Sequence, residues 1–216
     1  MNSVRVGLLA LALTLVLPRY IYGHQEERPE NLQMTVFARL QGGGERMEIL
    51  VRTPLYLLIN VGLPLQAEHQ VDSEAFSRED PHVAGDATYA QRASAAVLKA
   101  IEVSYGGAPI RFSANSLTLS SSGNAAFSRY ETAITHVRRG LEGSDNSVGM
   151  HRGYLDLRAI ADLPARQGDL RLTANIGPDL AQSLAITVRQ ISPTGELHTT
   201  NLEDDSVPEM VLRHLN

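Results

Sequence analysis

Histidine is the residue type in this sequence best suited to metal chemistry, because neutral imidazole binds transition metals. If a leader were removed after Gly23, His24 would become the N-terminus, and its amine and ring nitrogens could chelate one nickel or copper ion. The alternative is that His24 only begins a polar lead-in, since no HxH or HxxxH pair accompanies it. The remaining histidines are His69, His82, His136, His151, His198 and His214.

The polar segment 66–86 contains His69 and His82 together with several carboxylates, namely Glu68, Asp72, Glu74, Glu79, Asp80 and Asp86. Imidazole and carboxylate ligands together suit a divalent metal. The same composition is typical of a solvated surface loop, and both interpretations stay open. The default prediction is a protein without a cofactor, and the specific hypothesis is a nickel or copper site at His24, His69 and His82.

The patterns of a serine nucleophile and of a phosphate-binding loop are missing from the sequence. It contains no GxSxG, and a strand pattern follows Gly42–Gly44 where a phosphate loop would continue with Lys-Ser or Lys-Thr and a helix. Asp204 and Asp205 are adjacent tail residues, which do not suit a glycosidase pair held apart across a cleft. We therefore predict that the chain is not an enzyme, with a metal-dependent hydrolase as the alternative.

Composition limits the class of protein. Of 216 residues, 43% are hydrophobic and 20% are charged, which is typical of a folded domain. The net charge is −5 and there is no basic run, so nucleic acid is not an expected partner. The absence of cysteine excludes disulfides, thiolate zinc sites and cysteine nucleophiles. Nothing in the composition predicts an oligomeric state.

The first 23 residues have the order of a secretory signal peptide. Arg5 precedes an apolar run at 6–17, and Pro18 and Gly23 follow it. The run has about a dozen residues, against roughly 20 for a membrane-spanning helix. An uncleaved anchor is the alternative, because Arg19 makes the cleavage region imperfect. We expect an exported, periplasmic or cell-envelope protein.

Alternating hydrophobicity predicts two hairpins and a run of later strands. The first hairpin joins 32–41 to 46–53 around three glycines, and the second joins 101–105 to 109–112, with 116–119 extending its sheet. The apolar segment 54–65 is either a buried strand or a helical turn. Later strands are predicted at 153–159, 169–176, 183–191 and 197–202.

Two helices complete the predicted fold. Residues 88–99 have helical composition, and 128–139 is marked by Ser128 and Glu131 as a capping box. His136 on the second helix is expected at the surface or at the edge of the core. Together these elements predict an α+β fold, mostly antiparallel sheet or sandwich with two packed helices, as a single domain over residues 24–216.

Several apolar-patterned segments resemble a known family. They are ERPENLQMTVFARL, RMEILVRTPLYLLINVGLPL, FSRYETAITHVRRG and GYLDLRAI. Together these segments resemble the extracytoplasmic N-terminal region of HupE/UreJ-type membrane proteins over most of residues 26–200. The resemblance implies an accessory domain associated with nickel or related metal transport.

Members of that group continue into transmembrane helices, whereas no apolar run after residue 30 is long enough to cross a bilayer. No functional residue is therefore carried over from the family. We expect a non-enzymatic accessory or binding module that acts with a membrane-protein partner or a missing transmembrane domain. A periplasmic metal-binding protein remains an alternative.

Overall fold

The computed structural model describes residues 31–66, 69–79, 87–145, 148–164, 169–175, 183–192, 194–202 and 209–212. Over these ranges the chain has an α+β fold that is mostly β, as the sequence predicts. The described strands are β1 (Leu32–Gln41), β2 (Arg46–Pro54), β3 (Ile101–Tyr105), β4 (Ala108–Pro109), β5 (Ser113–Ser120), β6 (Tyr154–Asp162), β7 (Leu170–Ala174), β8 (Leu184–Ile191), β9 (Leu197–Leu202) and β10 (Glu209–Leu212).

The strands form two sheets. The larger sheet has the order β5-β6-β2-β1-β8-β9, and the smaller has the order β10-β7-β3-β4. All pairs are antiparallel except β1 with β8. The segment 116–119 was predicted to extend the sheet of the β3–β4 hairpin. That prediction is wrong, because β5 pairs with β6 at the end of the larger sheet.

The predicted first hairpin is confirmed, with Gln41 opposite Arg46 and Thr35 opposite Arg52. Gly42, Gly43 and Gly44 form its turn with φ values of 60°, 70° and 98°. Side chains with a β-carbon rarely adopt this backbone region, so the three glycines serve the turn.

The central strands of the larger sheet, β1 and β2, bury side chains on both faces. On one face, Val36, Ile49 and Val51 join the main core, which also contains the inner residues of β3 and β7. On the opposite face, Phe37 and Leu50 form a smaller core beneath the second helix. Since neighbouring residues of a strand point to opposite faces, burial on both faces explains why β2 is apolar along most of its length.

Helix α1 (Tyr89–Ala100) begins where its sequence predicts. The Thr88 hydroxyl accepts from the Gln91 amide at 3.2 Å, and the Gln91 side chain accepts from the Thr88 amide at 2.9 Å. This reciprocal pair is a capping box, which satisfies two amides that have no partner within the helix. Ala93 and Val97 bury their side chains in the main core.

Helix α2 (Tyr130–Val137) begins later than predicted, and the capping role assigned to Ser128 and Glu131 is wrong. Ser128 ends a short 3-10 helix over Ala125–Ser128, and Arg129 follows with extended backbone. The helix therefore starts one residue too late for Glu131 to reach back to Ser128. Its N-cap is Arg129, which makes no side-chain capping hydrogen bond.

The apolar segment that periodicity left open is a 3-10 helix over Leu55–Val61, with Leu55 and Leu58 buried. Gly62 ends it in a left-handed conformation. In the described part of the chain, no helix combines the length and apolarity needed to cross a membrane.

Candidate functional site

Of the three residues predicted to bind metal, the structure places His69, while His24 and His82 lie outside the described residues. His69 is exposed and has a φ of 58°, and its carbonyl accepts from the Met150 amide at 2.9 Å. Its ring meets the ring of His151 edge-on, with centroids 5.9 Å apart. Within the described ranges, no three His, Cys, Asp or Glu side chains are grouped to hold a metal ion.

His136 was expected at the surface or core boundary, but it is buried, with 7% of its area exposed. The inner side of α2 faces a carboxylate of the sheet, and His136 Nε2 lies 3.1 Å from Asp156 Oδ2. Helical periodicity placed His136 near the core but could not show that an acidic partner lies beneath the helix.

Asp156 is the centre of a fully buried polar network between the sheet and α2. Arg52 donates from Nε to Oδ1 and from Nη2 to Oδ2, both at 2.8 Å, and the Ser120 hydroxyl donates to Oδ2 at 2.7 Å. The Arg52 guanidinium also stacks 4.5 Å from the Phe127 ring centroid. Burial by itself raises the pKa of Asp156, but the hydrogen bonds from Arg52, His136 and Ser120 outweigh it and hold the pKa below its usual range.

Ser120, His136 and Asp156 are the residue types of a hydrolytic triad, but their arrangement does not support that chemistry. In a triad the imidazole lies between the hydroxyl and the carboxylate. Here one carboxylate oxygen contacts both the hydroxyl and the imidazole, and Arg52 Nη2 donates to the hydroxyl oxygen at 3.1 Å. The Ser120 hydroxyl is thus fully buried and hydrogen-bonded to both Arg52 and Asp156. The contact between His136 and Asp156 holds α2 on the sheet.

A second buried carboxylate lies beside this network. Glu48 accepts from Arg158 Nε at 2.7 Å, from Gln41 Nε2 at 3.0 Å and from the Tyr130 hydroxyl. Burial raises the pKa of Tyr130, and the neighbouring Glu48 raises it further. These contacts fix the first turn of α2 on the sheet, because Tyr130 is the first residue of the helix.

A cleft of about 750 Å³ lies beside β5. One wall is α1, with Gln91, Ala95 and Leu98, and the other is the segment 139–142 that follows α2. Residues 114–117 of β5 form its floor. We call this feature the α1–β5 cleft.

The surface of the α1–β5 cleft is mainly apolar, with contributions from Leu98, Phe112 and Leu141, and the charged Arg139 and Glu142 also line it. Ser94 and Ser116 also line it, and their buried hydroxyl oxygens have no hydrogen-bond partner among the described residues. Ser94 is 4% exposed. An unsatisfied buried hydroxyl costs about 1–3 kcal/mol, so both positions favour a ligand or water that would complete their hydrogen bonding.

The sequence indicated neither the cleft nor the buried networks. Ser94 and Ser116 are 22 positions apart and Arg52 and Asp156 are 104 positions apart, and none belongs to a recognisable motif. Local pattern did not mark the networks as buried, because strand alternation puts Glu48 and Arg52 on the face opposite Ile49 and Val51, which α2 covers.

No protein-family model matches this chain, and no curated protein sequence matches it significantly. The HupE/UreJ resemblance therefore stays a prediction.

Proposed function

We propose that this chain is a non-enzymatic, extracytoplasmic binding module whose ligand occupies the α1–β5 cleft. The observation that carries the proposal is a mostly apolar cleft of about 750 Å³ with two buried hydroxyls that no other described residue hydrogen-bonds. Ligand sites commonly have volumes of about 300–1,000 Å³ and combine apolar walls with a few polar groups. The Asp156 network lies outside the cleft lining, and its polar groups are engaged with one another.

A titration with the fluorescent dye 1-anilinonaphthalene-8-sulfonate tests the cleft directly, because the dye combines apolar rings with one anionic group. Ala95 is exposed on α1 and lines the cleft, so Ala95→Trp should fill part of it. We expect saturable dye binding that weakens at least about tenfold in this variant. Lys99→Trp is the matched control, since Lys99 is exposed on the same helix but does not line the cleft. Equal dye binding by both variants would contradict the proposal.

Export is the second part of the proposal, and the order of charged, apolar and small residues in 1–23 supports it. Expressed with these residues in a bacterium, the protein should appear in the periplasmic fraction, shortened at or near His24. Retention of Met1 in a cytoplasmic product would refute export. Recovery at full length in the membrane would instead indicate an uncleaved anchor.

Metal binding is the second candidate function, and the edge-on contact of His69 with His151 is the observation that favours it. The structure thus places His69 beside His151, which the sequence-based metal hypothesis does not include. Calorimetric titration with nickel or copper should show micromolar or tighter binding that is lost in His69→Ala and in His151→Ala. His198→Ala is the control, and an affinity no tighter than millimolar would reject this candidate.

A further inference from the structure

We propose that the occupant of the α1–β5 cleft is an extended peptide segment of a partner protein, which adds as a strand to the outer edge of β5. This inference rests on the proposed function, because it assumes that the cleft is the binding site. β5 is the terminal strand of the larger sheet and pairs with β6 on one side. A terminal strand presents backbone groups that a further strand can use.

The position of the cleft shows that it follows the strand edge. Four consecutive residues of β5 line it, namely Ala114, Asn115, Ser116 and Leu117, and they include the bulge at Asn115. Leu98 and Leu141, one from each wall, both pack against the main core. The cleft therefore opens on the main-core side of the sheet, along residues 114–117 of its terminal strand β5.

Part of that edge is already paired within the chain. The Leu119 amide donates to Ser144 Oγ at 3.0 Å, and the Leu119 carbonyl accepts from the Asp145 amide at 3.0 Å. Both groups therefore point away from β6. Backbone groups alternate in direction along an antiparallel strand, so the amide and carbonyl of Leu117 point to the same outer edge.

Among the described residues, none bonds to the Leu117 amide or carbonyl at this edge. The open stretch covers residues 113–117, which spans about 14 Å at roughly 3.4 Å per residue. A peptide segment of about five residues would match it. Edge strands are commonly protected by lysine or proline, and SANSL contains neither.

Charge specifies the occupant further. Asn115 lies at a bulge in β5 and lines both the cleft and a neighbouring polar groove of about 460 Å³. The groove contains Arg46, Arg111 and Asp162, of which Arg46 pairs with Asp162 at 3.1 Å. Within the described ranges Arg111 has no ion pair, so the groove holds an excess positive charge. We infer that the peptide carries apolar side chains in the cleft and an aspartate or glutamate beside Arg111.

The experiment selects phage-displayed random dodecapeptides on the purified protein and measures the affinity of the resulting synthetic peptides by fluorescence polarisation. We expect selected peptides to contain apolar residues and a carboxylate. Ala95→Trp should weaken binding at least about tenfold, Lys99→Trp less than about twofold, and Arg111→Gln several-fold. Circular dichroism and urea denaturation of each variant confirm that the fold is retained.

Backbone methylation of the peptide tests strand addition on the unaltered protein. Methylating one amide nitrogen at a time should weaken binding at least about tenfold at alternate residues and little at the residues between them, because only every second amide faces β5. If methylation weakened binding without this alternation between neighbouring residues, strand addition would be overturned. Failure to select any cleft-dependent peptide would overturn the inference even if the dye binds. If the dye also failed to bind in the cleft, the proposed function itself would be refuted.

Discussion

Replacing Asp156 by asparagine should destabilise the protein by about 3–5 kcal/mol, because it leaves the Arg52 guanidinium buried without a counter-charge. The Arg52 side chain is only 10% exposed, and the Asp156 side chain is completely buried. Asparagine keeps the size and one carbonyl oxygen, but its amide hydrogens would face the donors of Arg52 or Ser120. Hydrogen bonds to a charged group contribute about 1.5–3 kcal/mol each, and Asp156 accepts two from Arg52 and one from Ser120.

The same two strands provide a matched control. Arg46 and Asp162 are also directly opposed across β2 and β6, just as Arg52 and Asp156 are. Their distance is similar, at 3.1 Å, but their side chains are 54% and 83% exposed. Solvent screens such a pair, so Asp162→Asn should cost less than about 1 kcal/mol.

Urea denaturation followed by far-ultraviolet circular dichroism measures both variants, since the chain has no tryptophan to report unfolding by fluorescence. The denaturation midpoint should fall clearly for Asp156→Asn and little for Asp162→Asn, with the same slope for each. Losses below about 1 kcal/mol for both variants would refute the reasoning that the buried pair fixes α2 on the sheet.

Three further predictions concern pH, capping and packing. The stability difference between wild type and Asp156→Asn should shrink as pH falls below about 3.8, because a carboxylate whose pKa is depressed in the folded state stabilises the fold only while it stays ionised. A difference that stays constant in acid denaturation would contradict this prediction. Thr88→Ala should cost about 1 kcal/mol in urea denaturation, whereas Ser128→Ala should cost much less, and equal losses would contradict the observed helix starts. Gly153→Ala should lower the free energy of unfolding by at least about 1–3 kcal/mol, because its new β-carbon would overlap a Val148 methyl group and lie 2.7 Å from the Gly149 carbonyl oxygen. Thermal or urea unfolding measures the loss, and Gly123→Ala, whose β-carbon meets open space, is the control. An unchanged stability of Gly153→Ala would refute the packing argument.

The sequence by itself determined the local elements and the fold class. Alternation placed β1, β2, β6, β8 and β9 close to their observed bounds, because burial of a sheet face imposes a period of two. Three glycines identified the first turn, since few other residues adopt its backbone conformation. Composition and spacing also predicted both helices, within a few residues of their observed bounds.

Tertiary structure decided what local patterns could not. Within the segment 54–65, Leu55–Val61 form a 3-10 helix, and the Ser128 capping box does not form, because tertiary packing decides between local alternatives that are nearly equal in free energy. The partner of His136 lies 20 positions away, and the partner of Arg52 lies 104 positions away. Strand order places β5 at a sheet edge, and the cleft forms there beside α1 and the segment that follows α2. Such a site depends on contacts between distant segments, and no spacing within one segment encodes it.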